Sequence, residues 1–160
     1  MWQIVSNAAS ILSIVSAAIT CISAVKIRSY YKKIVTQYSV EKVTIAEQKA
    51  LEAKKEYQHL KSMYIEIRGR KPKAYSDSYI AIDNALDDVK HSLPSGYEDI
   101  SKLIKEAKEI LNKATDSEVI AQKSEYFLEL GTYLDNLYDG LESEKSKLQE
   151  KNVKNIKGVN

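Results

Sequence analysis

With 160 residues and a formal net charge of +2, the chain can form one small domain, and its overall charge favours no class of partner. A single cysteine excludes an intramolecular disulfide, and five glycines and two prolines leave few breaks in the chain. No long stretch alternates between apolar and polar residues, and Lys, Glu, Ala, Ile and Leu are abundant, so we predict an all-α fold.

The first predicted element is an uncharged apolar segment. No charged side chain occurs from Met1 to Val25, and the stretch from Ile4 to Val25, about 22 residues, would form roughly 33 Å of helix, enough to cross a bilayer core. Aromatic rings flank the segment and a basic cluster follows it, which is typical of the two interfaces of a membrane span. The predicted membrane-interface residues are Trp2, Lys26, Arg28, Tyr30, Tyr31, Lys32 and Lys33.

We therefore predict that residues 1–37 form a single transmembrane helix with a basic juxtamembrane extension. The positive-inside rule places the N-terminus outside and the C-terminal domain in the cytoplasm, so the predicted location is the inner (cytoplasmic) membrane. A cleaved signal peptide is a weaker alternative, because it would have a basic start and a shorter apolar core. A buried helix of a soluble protein is the other alternative.

Small and hydroxyl side chains share one face of this predicted span, which we call the small-residue stripe. Ser6, Ser13 and Thr20 are seven residues apart, and the adjoining rows hold only serine and alanine, whereas the opposite face carries isoleucine, leucine and valine. Such a stripe either packs helices closely or lines a water-filled pore. The alternative is that each hydroxyl simply bonds to its own helix backbone. The predicted pore-lining or helix-packing residues are Ser6, Ser10, Ser13, Ser16, Thr20 and Ser23.

The next predicted helix begins after a bend. We expect the first helix to continue to about Gln37 and a second to begin near Thr44, which with Glu47 has the spacing of a capping box. This second helix should end at Gly69, before a proline. Its apolar seam has spacings of three and four and comprises Val43, Ala46, Ala50, Ala53, Tyr57, Leu60, Tyr64 and Ile67.

Three more amphipathic helices are predicted. One runs from about Asp77 to Ser92, one is opened by a capping box of Ser95 and Glu98, and one by a capping box of Thr115 and Glu118. Short loops between four such helices predict an antiparallel four-helix bundle over residues 38–151, with a frayed tail over 152–160. The seam positions are Tyr79, Ile82, Leu86, Val89, Leu93, Ile100, Leu103, Ile104, Ala107, Leu111, Ala114, Ile120, Phe127, Leu130, Leu134, Leu137, Leu141 and Leu148.

Two surfaces of the predicted bundle are candidates for binding. The chain has eleven tyrosines and one phenylalanine, and Tyr57 and Tyr64 lie on an alanine-rich seam, which predicts an oligomer interface. The alternative is that the tyrosine rings pack within the bundle while their hydroxyls reach solvent. A basic cluster in the loop after the second helix predicts polyanion binding, to RNA or anionic lipid, and a solvated helix end is the alternative. This cluster comprises Arg68, Arg70, Lys71 and Lys73.

Catalytic and metal-binding patterns are not found in the sequence. His59 and His91 are the only imidazoles. Asp87 and Asp88 lie four and three residues before His91, but a metal-binding helical bundle needs a second such group, and no carboxylate pair accompanies His59. No phosphate-binding glycine loop and no zinc-ligand spacing occurs. We therefore predict no catalytic residues, no metal, no cofactor and no small-molecule substrate, and a protein that is not an enzyme.

A short N-terminal span that begins "MWQIVSNAASI", followed by a small all-helical domain, resembles the membrane effectors of bacterial antiphage systems. The nearest resemblance is to the small accessory proteins of type VI-B CRISPR loci, which partner an RNA-guided RNase. That resemblance implies a HEPN-like bundle and a ring-shaped membrane pore. HEPN nucleases use an Arg followed four to six residues later by a His, and neither His59 nor His91 has an Arg at that distance, so RNA cleavage is not implied.

The predicted function is that of an oligomeric pore or effector that permeabilises or depolarises the bacterial inner membrane in antiviral defence. The predicted partners are further copies of the chain in a homo-oligomeric ring, the lipid bilayer, and an RNA-guided RNase or its RNA. Two alternatives are a membrane-tethered helical scaffold that docks a cytoplasmic partner and a membrane-bound HEPN-type ribonuclease.

Overall fold

A computed structural model of the chain describes residues 2–66, 73–117 and 120–157, and among these the side chains of residues 16–17, 19–62, 77–117 and 122–154. These ranges contain four helices and no strand, which confirms the predicted all-α class. The helices are α1 (Trp2–Glu66), α2 (Lys73–Ser92), α3 (Glu98–Asp116) and α4 (Ile120–Lys157). Two compact units result, residues 39–149, which we call the bundle unit, and residues 1–38 with 150–160, which we call the terminal unit.

The bundle unit is built on one hydrophobic core to which all four helices contribute. Apolar residues spaced three and four apart lie on one face of each helix, so that face can be buried continuously. The predicted seam positions of α1 up to Leu60 are buried, and so are most of those of the other three helices. Leu93, Leu103 and Leu148 are only half-buried, and the side chain of Ile120 lies outside the described residues. The largest fully buried side chains are Val43, Leu60, Ile82, Leu86, Val89, Ile104, Leu130, Leu134, Leu137 and Leu141.

Contacts between α1 and α4 show that these helices run antiparallel within the bundle unit. Glu47 of α1 accepts a hydrogen bond from Lys145 of α4, and Tyr57, further along α1, stacks on Phe127, which lies earlier in α4. The residue numbers therefore rise along one helix as they fall along the other. The two helices are joined by long-range pairs that no local sequence pattern specifies.

Helix α2 pairs with α1 in the same way. Between α1 and α2, the Lys49 ammonium lies 3.6 Å from Asp88, and Ser78 Oγ lies 3.5 Å from Glu56 Oε2. Since residue numbers again run in opposite directions, α2 is antiparallel to α1. A short connection over residues 93–97 then reverses the chain into α3. These pairings place α1 antiparallel to both α2 and α4, and α2 also contacts α3.

Three of the predicted helix boundaries are wrong. The bend predicted before Thr44 is absent, because α1 is helical throughout Trp2–Glu66. Thr44 Oγ1 donates to Val40 O at 2.8 Å, and Thr115 Oγ1 donates to Leu111 O at 2.9 Å, so both threonines bond a carbonyl four residues earlier and cap no helix. The N-cap of α3 is Tyr97 rather than Ser95, and no side chain caps it.

The helix ends differ from the predictions in extent as well. Helix α2 already begins at Lys73, four residues before the predicted start. Helix α4 remains helical to Lys157, past the Glu150 after which fraying was expected.

Within the part of the chain that is described, no helix combines the length and the apolar character that crossing a membrane requires. The structure thus gives no support to the predicted span from Ile4 to Val25. Of that span, residues 4–15 and 18 lie outside the residues whose side chains are described.

Candidate membrane-facing segment of helix α1

The most unusual surface of the protein is the part of α1 from residue 16 to residue 25, which we call the apolar segment. Every side chain described in it is exposed, and none is charged. Ile19, Ile22 and Val25 have exposed fractions of 60%, 58% and 68%. In the bundle unit, by contrast, isoleucines at seam positions are almost wholly buried. The apolar segment therefore presents to its surroundings side chains of the kind that the rest of the protein buries.

The small-residue stripe occupies one side of this segment. Ser16, Thr20 and Ser23 are exposed, and they lie on the helix face opposite Ile22 and Val25. Thr20 Oγ1 donates to Ser16 O at 2.9 Å, so the only described hydrogen bond of this hydroxyl proton is to its own helix. The Thr20 oxygen keeps lone pairs with which it can accept a further bond. The predicted stripe residues Ser6, Ser10 and Ser13 lie outside the described side chains.

Exposed apolar and basic residues alternate along α1 beyond the apolar segment. Ile27, Tyr30 and Tyr31 are exposed, with fractions of 61% to 68%, and Ile34 and Tyr38 continue the row. The predicted interface cations are interleaved with them, and no described ion pair involves any of those cations. Lys26, Arg28 and Lys32 are exposed and Lys33 is half-buried, while the side chain of Trp2 lies outside the described residues.

The end of α4 belongs to the same terminal unit, which sequence reasoning missed. Lys151 and Lys154 are exposed there, and Val153 between them has an exposed fraction of 49%. The sequence offered one signal, a lysine-rich run that follows the last acidic residue, Glu150. What the sequence could not show is that this run shares a compact unit with the first 38 residues.

The predicted oligomer-interface residue Tyr57 lies elsewhere than expected. It is only 9% exposed, its ring stacks on Phe127 with 4.7 Å between the centroids, and burial raises the pKa of its hydroxyl. Tyr57 therefore belongs to the core of its own bundle unit and has little surface for a second copy to contact. The side chain of Tyr64 lies outside the described residues.

The predicted polyanion-binding loop also lies outside what the structure describes. Arg68, Arg70 and Lys71 fall in residues 67–72, and Lys73 is the first residue of α2, with its side chain not among those described. Their prediction as a binding cluster stays a prediction.

Several titratable groups of the bundle unit form ion pairs. The Lys108 ammonium lies 2.7 Å from Asp87 Oδ1 and 3.0 Å from Asp83 Oδ1, and its hydrogen bond holds the pKa of Asp87 below the usual value. His59 and His91 are both exposed. In the described residues, no three His, Cys, Asp or Glu side chains are grouped so that they could hold a metal ion.

Comparisons with protein-family models, with curated proteins and with solved structures found no match for this chain. The features of the described chain that bear on function are the exposed segment of α1 and the distribution of charge around it.

Proposed function

We propose that the protein is a membrane-embedded homo-oligomer that permeabilises the bilayer, with the N-terminal part of α1 in lipid and the bundle unit on the cytoplasmic side. The observation that supports this most directly is the apolar segment, in which no described side chain is charged or buried. The protein acts without catalysis, as an effector that makes the bilayer permeable.

The apolar segment is costly to keep in water. Moving an isoleucine or valine side chain from water to an apolar environment is favourable by roughly 1.5–3 kcal/mol. Ile19, Ile22 and Val25 each expose more than half of their surface, so a covering by lipid tails or by other helices stabilises the protein substantially. The adjoining Lys26 and Arg28 then lie where the positive-inside rule expects cations, on the cytoplasmic side.

The two faces of the segment support assembly as well as insertion. Lipid tails suit the isoleucine face, whereas the face of Ser16, Thr20 and Ser23 lets neighbouring helices approach closely or lines water. In a ring of copies, both faces are satisfied at once, because the hydroxyls turn inward and the isoleucines outward. The resemblance to antiphage membrane effectors adds the setting, antiviral defence beside an RNA-guided RNase, and the HEPN-like character of the bundle.

The test is reconstitution of the purified full chain into vesicles that contain a self-quenched dye. We expect the protein to resist alkaline extraction, to migrate as a discrete oligomer in detergent, and to release the dye. A chain that is extracted by alkali would contradict the membrane location. An inserted oligomer that releases no dye or ions would instead favour the tethered scaffold.

A further inference from the structure

We propose that two separate parts of the sequence form one binding site for anionic phospholipid headgroups: the basic stretch of α1 after the apolar segment and the C-terminal end of α4. We call this site the basic collar. It consists of Lys26, Arg28, Lys32, Lys33, Lys151 and Lys154. The proposal rests on the proposed membrane function and names the lipid class that the terminal unit selects.

Charge is distributed very unevenly between the two units. The terminal unit contains seven of the 24 basic side chains of the chain but only one of the 22 acidic ones, Glu150. The bundle unit accordingly carries a net negative charge, although the whole chain has a net charge of only +2. An anionic surface therefore attracts the terminal unit and repels the bundle unit.

The cations of the collar are available to a ligand. Lys151 and Lys154 on α4 are exposed, as are three of the four collar cations on α1. None of the six takes part in an ion pair within the described part of the chain, whereas several lysines of the bundle unit, including Lys49, Lys54 and Lys108, are held by carboxylates. The collar is thus a group of uncompensated charges.

The apolar residues interleaved with these cations favour a membrane surface over a nucleic acid. Ile27, Tyr31 and Val153 are exposed among the lysines. Tyrosine rings and aliphatic side chains partition into the headgroup region, where lysine and arginine meet lipid phosphates. A single-stranded nucleic acid would use the rings for base stacking but would gain nothing from the isoleucine and valine side chains.

The lysines of α4 supply the decisive variants, because they are far in sequence from the span. The full chain is synthesised in the presence of vesicles of phosphatidylcholine alone or of phosphatidylcholine mixed with phosphatidylglycerol, and the lipid concentration for half-maximal flotation is measured. Each basic residue near an anionic surface strengthens binding by about fivefold, so Lys151→Gln/Lys154→Gln should raise this concentration at least tenfold for the mixed vesicles only. Lys151→Arg/Lys154→Arg should behave as wild type.

A matched control is available on α3. Lys102 and Lys105 have the same spacing of three and are exposed to 74% and 79%, but they belong to the acidic bundle unit. Lys102→Gln/Lys105→Gln should leave flotation with both vesicles unchanged. An equal loss in this control and in the collar variant would overturn the collar and show a general charge effect.

The remaining outcomes separate this proposal from the proposed function. Wild type that inserts equally well into neutral and mixed vesicles would overturn the collar and leave the membrane function intact. Wild type that floats with neither vesicle would overturn both. A collar variant that loses affinity for single-stranded RNA while its flotation with mixed vesicles is unchanged would assign these lysines to RNA instead.

Discussion

The ring of Tyr57 on α1 stacks on the ring of Phe127 on α4 with 4.7 Å between their centroids and 28° between their planes. The two residues are about 70 positions apart in sequence. Their contact fixes how far α4 is shifted along the axis of α1. Gly131, one turn of α4 beyond Phe127, lies directly against the same tyrosine.

The first prediction concerns that close approach. A Cβ at Gly131 would lie 2.5 Å from the Tyr57 hydroxyl oxygen and 2.7 Å from Cζ, closer than atoms can pack. The stacked ring cannot move aside without losing Phe127, so Gly131→Ala should lower the free energy of unfolding by about 1–3 kcal/mol despite its better helix propensity. Thermal unfolding of the full chain in detergent measures this.

Gly140→Ala is the matched control on the same helix. Its Cβ would lie 2.9 Å from Ile100 Cδ1, the far end of a flexible side chain that can rotate away. We expect the free energy of unfolding to change by less than about 0.5 kcal/mol, because the propensity gain offsets the adjustment. Equal effects of the two alanines would contradict the packing described for Tyr57.

The second prediction concerns the ion pair of Glu47 and Lys145. The Glu47 side chain is only 11% exposed and its Oε2 accepts a hydrogen bond from Lys145 Nζ. Lys145→Met should lower the free energy of unfolding by about 2 kcal/mol, because it leaves a nearly buried carboxylate without its cation. The double variant Glu47→Met/Lys145→Met should recover most of that loss, since it removes both charges.

Lys147→Met tests whether burial is the reason. Lys147 pairs with Glu144 at 2.6 Å, but its side chain is 68% exposed, so solvent screens the pair. We expect no measurable loss of stability in the same thermal measurement. A loss as large as that of Lys145→Met would show that the burial of Glu47 is not what matters.

The third prediction is a pH dependence. Hydrogen bonding to Lys108 holds the pKa of Asp87 below its usual value. A lowered pKa in the folded state means that the pair stabilises the fold above the unfolded pKa, and that this stability is lost as the pH falls through the folded pKa. Asp87→Asn should therefore reduce the difference in melting temperature between about pH 6 and about pH 3. Asp139→Asn, which removes an exposed carboxylate, is the control. If wild type and Asp87→Asn differ equally in melting temperature between the two pH values, the Lys108–Asp87 pair is not the source of the pH dependence.

The core of the bundle unit could be predicted from the sequence to a large extent. Buried positions such as Val43, Ile82 and Leu134 follow from spacings of three and four, which any amphipathic helix must obey. The helix ends could not be predicted in this way. The hydroxyl of a threonine such as Thr44 can cap a helix or donate to the carbonyl four residues earlier in the same helix, and packing elsewhere decides between the two. The grouping of α4's last turns with the first 38 residues depends on long-range pairing, which leaves no local pattern.

The candidate site was predictable only in part. An uncharged run followed by cations is visible in the sequence, and the exposure of Ile19, Ile22 and Val25 now adds that nothing in the described chain covers them. The burial of Tyr57 could not be predicted, because tyrosine is common both at interfaces and in cores with a polar edge, and sequence alone does not separate these environments.

The fourth prediction separates a pore lining from helix packing. Thr20 belongs to the central row of the small-residue stripe and is exposed. In a ring, Thr20→Leu would therefore place one leucine from every subunit at the same depth, where hydroxyls stood before. We expect less dye release at unchanged oligomer size. The same change at Ala18, on the isoleucine face by helical position, should leave both properties as in wild type.

Other results of the Thr20 experiment contradict the pore. A smaller oligomer would mean that the stripe packs helices and that leucine forces them apart. Wild-type size together with wild-type release would mean that the hydroxyl is tolerated because it bonds Ser16 O in its own helix.

Reactivity of single cysteines with a membrane-impermeant maleimide tests the central claim most directly, because Cys21 is the only cysteine and lies exposed within the apolar segment. In a Cys21→Ser background, we expect Thr20→Cys in intact, protein-containing vesicles to react, since it faces a water-filled lumen, and Ile22→Cys to react only after the bilayer is dissolved in detergent. Rapid labelling of both cysteines in intact vesicles would place the apolar segment in water and contradict the account.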